Sequence, residues 1–203
     1  EDAREQHVVV AGSLLGLIDH QGESYPVGKV NTLHLYPMSF EEFLWAKGED
    51  MCADVLSSLD WNLIKALDVK FQDLLRQYYY VGGMPEVVQD FVRNNNIVNV
   101  RTLQNEILKN YEKDFSKHAG NEAVRVRMVW KSLPSQLAKD NKKFIYGALK
   151  EGGRAKEFEK AIQWLVDAGL VYRITRCNNP TMPLSIYEDF SSFKLYMPDV
   201  GML

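Results

Sequence analysis

The chain has 203 residues and a mass of 23.3 kDa, with 46% hydrophobic and 25% charged residues, enough for one or two buried cores. That composition excludes fibrous, disordered and disulfide-rich classes. The two cysteines, Cys52 and Cys177, lie far apart, which argues against a zinc site or a secreted disulfide framework and for a reducing cytoplasm.

No apolar run approaches the roughly 20 residues needed to span a bilayer, and no signal peptide opens the chain. The first residue is Glu1 rather than Met, which suggests that something upstream has been removed. The net charge of −3 conceals an asymmetry. Residues 1–94 carry 7 basic and 15 acidic side chains, whereas residues 95–176 carry 16 basic and 9 acidic. Two units with different surfaces are expected. The basic one can meet nucleic acid or dock onto its acidic neighbour, and composition leaves both open.

In chain order, His7 to Ser13 reads as a short buried strand, because its β-branched run is too short for a helix and closes on Gly12. Val30 to Tyr36 is a second expected strand, beyond a loop over Asp19 to Pro26. From Ser39 the pattern becomes helical. Ser39 and Glu42 form a capping box, with Phe40, Phe43 and Leu44 on the apolar face and Gly48 as the stop.

Further helices are expected over 51–59 and 63–80. Gly82-Gly83 breaks the pattern, and Pro85 suits the first turn of a helix over 85–93. After the Asn94-Asn95-Asn96 turn, Val100, Leu103, Ile107, Leu108 and Tyr111 mark one face of a long helix over 98–115. A helix over 122–133 precedes Pro134, which is expected to start a short helix through Ala138. Residues 144–149 are ambiguous. An amphipathic helix over 154–168 stops at Gly169, followed by a strand over 170–176, a loop over 177–185 and a strand over 192–197. This order is that of a winged helix.

Motif chemistry is sparse. Gly22 to Lys29 imitates a P-loop, but it has five intervening residues where four are needed, lacks the Mg²⁺-binding hydroxyl and precedes a strand. No apolar strand ends in Asp-Glu, so ATP hydrolysis by these residues alone is not expected. The four histidines lack metal-ligand spacing, and no metal site is expected. No nucleophile elbow occurs. Tyr78-Tyr79-Tyr80 can stack a base or wedge into a core, with the core preferred. In a winged helix, residues 154–168 would enter a major groove through Arg154, Lys156 and Lys160, with Arg173 and Arg176 near phosphates. Glu157, Glu159 and Asp167 neutralise that helix, so a protein-docking role stands beside DNA binding.

Several stretches resemble prokaryotic predicted ATPases in which an AAA domain precedes a C-terminal domain of unknown function. They are Ala11 to Gly16, Ser24 to Val30, Leu35 to Leu44, Val81 to Val88, Pro134 to Ala138, Trp164 to Val171 and Lys194 to Leu203. They occur in family order along essentially the whole chain. The resemblance implies a middle portion, with a P-loop and acidic strand upstream and a nuclease-like region beyond Leu203. It also implies that Ser13 senses the γ-phosphate or orients water, against the alternative of capping the next turn. Lys29 stands where many relatives carry Arg, which implies a positive charge near phosphate against the alternative of a solvated loop lysine, although lysine lacks the bidentate fork.

The expected fold is mainly α with short β elements. It comprises the trailing edge of an AAA α/β core over 1–36, a helical lid-like and linker region over 37–118, and a winged-helix-like domain over 119–203. The expected function is to couple nucleotide state to the winged helix, with ATP and Mg²⁺ held only by the full-length protein. The partners would be the P-loop and C-terminal regions in cis, with DNA possible and no membrane. A DNA-binding module and an interaction scaffold are the alternatives.

Overall fold

The computed structural model describes residues 6–12 and 31–203. Within them the protein is mainly helical, with one antiparallel pair of strands. Helix α1 (Phe40–Ala46) starts at the expected capping box. The Glu42 amide donates to Ser39 Oγ at 3.2 Å, and Glu42 Oε2 accepts from the Ser39 amide at 2.7 Å. Next come α2 (Asp50–Ser58), α3 (Trp61–Ala66) and α4 (Asp68–Val81). Leu44, Cys52, Ala53, Phe71 and Leu74 form their small core.

The single helix expected over 63–80 is in fact two. The chain bends at Leu67 (φ −101°, ψ 14°), so that Ile64, Leu67, Phe71 and Leu74 all reach the same core.

Helix α5 (Pro85–Asn94) and the long α6 (Ile97–His118) pack antiparallel around a second core of Phe43, Val81, Val87, Val88, Phe91 and Val100. Helix α7 (Ala123–Leu137) then runs straight through Pro134, which therefore does not start a helix of its own. Burial of Val126, Val129, Trp130, Leu133 and Gln136 on both sides of the proline outweighs its missing amide.

The third and largest core joins Phe115, Trp130 and Leu133 to Phe144, Phe158, Ile162, Leu165, Phe193 and Leu195. It is closed by α8 (Ala155–Asp167) and by β1 (Tyr172–Cys177) paired with β2 (Glu188–Tyr196). Tyr172 faces Tyr196 and Thr175 faces Phe193, and the register then shifts so that Arg176 faces Asp189. Strand β2 begins earlier than its apolar run suggests, because residues beyond that irregularity resume pairing. The Phe144 amide donates to the Phe193 carbonyl at 2.9 Å, and buried Gln136 accepts from the Ile145 amide at 2.7 Å. These bonds lay residues 144–145 between α7 and β2.

The two strands expected over 7–13 and 30–36 are not formed by the described residues. Residues 6–12 and 31–39 have no regular structure, and Val9 and Leu35 are more than 90% exposed. A strand is held by hydrogen bonds to a neighbour, and the described residues offer these segments none.

Candidate functional site

Three segments remote in sequence meet at the end of α4. Helix α4 closes at Val81, and Gly82 (φ 77°) leaves the helical conformation while its amide still donates to the Tyr78 carbonyl at 2.7 Å. Pro85 then sets the first turn of α5 without a side-chain cap. The glycine pair between the two helices presents both backbone groups of Gly83 outward. The Gly83 carbonyl accepts from the Met38 amide at 2.7 Å, and its amide donates to the Asp199 carboxylate.

Asp199 begins the turn Val200–Met202. Its Oδ1 accepts from the Gly201 amide at 2.8 Å, and it is 3% exposed. Burial pushes its pKa above the ordinary carboxylate range, opposed by hydrogen bonds from the amides of Gly83, Gly201 and Met202. Both of its oxygens accept from backbone amides, so Asp199 acts here as a clasp.

Around the clasp, buried Gln104 of α6 donates through Nε2 to the carbonyls of Tyr80 (2.8 Å) and Val81 (3.1 Å), which the end of α4 leaves without helical partners. The Tyr78 hydroxyl donates to the Met38 carbonyl at 2.8 Å, while its ring lies 5.6 Å from Phe40 and 5.5 Å from Phe43. Burial, then the nearby Asp199 and Glu42 charges, raise its pKa. The tyrosine triplet thus divides its work. Tyr78 packs inward as expected, while Tyr79 and Tyr80 stay exposed.

The close approach is strict. A Cβ on Gly83 would meet the Met38 carbonyl oxygen and sit 2.7 Å from the Met38 amide nitrogen. A Cβ on Gly201 would lie 2.6 Å from the Val81 carbonyl oxygen. Such contacts fall well inside normal packing distance, and backbone cannot yield as a side-chain tip can.

The residues singled out from sequence fall elsewhere. Ser13 and Lys29 lie outside the described residues. Arg154, Lys156 and Lys160 are exposed at the start and along the outer face of α8. Arg176 is exposed on β1 opposite Asp189. Arg173 points inward. Its guanidinium lies 3.9 Å from the Phe193 ring centroid, pairs with Glu159 at 2.8 Å and donates to the Phe190 carbonyl at 3.3 Å. Glu159 in turn accepts from the Tyr146 hydroxyl, whose pKa is raised by burial and by that bond. This network fastens β1 and β2 to α8, which accounts for the arginine without a phosphate.

An open cleft of about 510 Å³ beside α4 holds two lysines that are already engaged. Lys70 pairs with Glu49 at 2.5 Å, and Lys47 donates to Gln77 at 2.5 Å. Among the described residues, no group of three or more His, Cys, Asp or Glu could hold a metal ion, and no helix is long and apolar enough to cross a membrane.

Sequence reasoning missed Asp199 and Gln104 as organising groups. Pro198-Asp199-Val200-Gly201 does carry a turn signal, since aspartate caps the amide two residues on. Gln104 has no local signature at all.

Two family models match the chain. One, described as a domain of unknown function (DUF8612), covers residues 72–203, and the other, described as an AAA domain, covers residues 1–44. No curated protein and no solved structure matches it. Residues 6–12 and 31–44, the described part of the AAA match, contain no lysine or arginine and do not by themselves fit a nucleotide phosphate. The Met38–Gly83–Asp199 clasp therefore joins the AAA-matched segment to both ends of the longer match.

Proposed function

The chain belongs to the DUF8612 family, and we propose that it serves as the relay of an AAA-type ATPase, passing nucleotide state from the AAA region to its C-terminal half. The observation that carries this reading is the clasp. Met38, six residues inside the end of the AAA match, is hydrogen-bonded to Gly83, and Gly83 is hydrogen-bonded to Asp199.

Backbone geometry explains how such a relay works. A shift of residues 31–39 moves the Met38 amide, and Gly83 has no side chain to buffer it from the carboxylate beyond. Losing either bond leaves a buried polar group without a partner, so the clasp favours closed and open arrangements over intermediate ones. In this reading ATP and Mg²⁺ are held by a P-loop region acting with the chain, and these residues respond to the nucleotide. The receiving half is read as a winged-helix arrangement: α7, the segment at 144–145 beside β2, α8, then the β1–β2 hairpin.

The test is amide hydrogen exchange with and without ATP and Mg²⁺, on the gene product that supplies the P-loop. Exchange at Gly83 and Gly201 is expected to change with nucleotide, and Gly83→Ala is expected to abolish that response while ATP still binds. Identical exchange at both glycines in the two states, with nucleotide shown to be bound, would sink the relay.

A further inference from the structure

The basic half of the chain carries exposed cations on more than one helix. On α8 and β1, Glu159 is held by Arg173, Glu157 by Lys150 at 3.1 Å and Arg176 is set opposite Asp189, while Arg154, Lys156 and Lys160 are exposed with no ion pair among the described residues. Helix α6 carries a longer row. Lys109, Lys113 and Lys117 are exposed at a spacing of four residues, so they line one side of the helix over about 12 Å. None of the three has a carboxylate within ion-pair distance among the described residues.

Helix α7 adds two more cations along the same seam. Arg127 donates to Ser116 Oγ at 2.6 Å, and Lys131 lies 3.6 Å from Glu112. Five cations therefore stand against three carboxylates, Glu106, Glu112 and Asp114, along this stretch of α6 and the turns of α7 beside it.

We propose that this α6–α7 face binds the phosphate backbone of duplex nucleic acid without reading its sequence. The inference goes beyond the relay and does not depend on it. Three features favour nucleic acid over an acidic protein partner. The lysines are point charges on flexible stems, which suit phosphate oxygens in no fixed geometry. Asn110 and Ser116, polar and exposed, lie among them where a protein interface would centre on aromatic or apolar anchors. The charges also run in a row, as backbone phosphates do.

The experiment is fluorescence anisotropy of a labelled 20-base-pair duplex of mixed sequence, titrated with the full chain from about 50 to 200 mM salt. Five phosphate contacts predict a log–log salt slope between about −3 and −5, and affinity in the micromolar range or weaker. The triple variant K109Q/K113Q/K117Q is expected to weaken binding at least tenfold at low salt and to flatten the slope by about three. These side chains are exposed, so thermal melting should match the parent, and K113Q alone should flatten the slope by about one. Binding that ignores salt overturns the proposal. So does a triple variant that binds like the parent, or loss of binding confined to R154Q/K156Q/K160Q, which would move the contact to α8. Equal competition by polyglutamate would assign the face to an acidic protein instead.

Discussion

Asp199 is buried and tied to the backbone at both ends of the longer family match. Its carboxylate is buried, yet two backbone amides at either side hold it in place. Because burial raises its pKa, the folded protein binds the proton more readily than the unfolded chain across the window from about pH 4 up to that raised value. Stability contributed by this group therefore increases as the pH falls through the window and decreases as the pH rises. Asp199→Asn removes the titration and replaces one acceptor with a donor facing an amide, which costs about 1–3 kcal/mol. Denaturant unfolding of both proteins from pH 7 to pH 4 should show the parent's advantage growing toward acid. An advantage that shrinks instead would mean that the amide hydrogen bonds outweigh burial.

At the scale of elements, most helix starts follow from local chemistry. Ser39, Asp60 and Asn96 each accept backbone amides at a helix start, and the Ser39–Glu42 pair was readable from the sequence. Ser39→Ala is expected to cost about 1 kcal/mol, seen as a lower denaturant midpoint with an unchanged slope. Because α1 supplies Phe43 and Leu44 to two different cores, fraying should register in both.

Where the elements depart from the local pattern, packing is the cause. Helix α7 continues through Pro134 because Gln136 beyond it and the apolar side chains before it are buried. Residues 7–12 and 31–36 show the opposite case. Their composition suits strands, but strand formation needs a neighbour that composition cannot supply.

For the whole molecule, the last seven residues act as a latch on the helices that begin the longer family match. Met202 is buried, and Gly201 packs against the end of α4 beside Gln104. Truncation after Tyr196 removes that buried side chain and the Asp199 clasp together. A loss of about 3 kcal/mol or more is expected from one apolar side chain and two charge-assisted hydrogen bonds. Faster hydrogen exchange should accompany it at Tyr80 to Gly83, while α8 and the β1–β2 pair keep their protection. Uniform loss of protection would show that the three cores unfold as one unit.

The sequence by itself determined the helical character, the breaks at Gly82-Gly83 and Gly169, the α8–β1 succession and the basic character of residues 95–176. Each of these rests on neighbours within a turn or two, through capping, periodicity or charge count. Only the tertiary structure decided that Met38, Gly83 and Asp199 meet, since Gly83 and Asp199 are 116 residues apart. It also decided that Arg173 faces a phenylalanine and a glutamate, and that Arg127 and Lys131 of α7 lie against Ser116 and Glu112 of α6. Which buried polar group finds which partner depends on how remote segments pack, and no local pattern of residues encodes that.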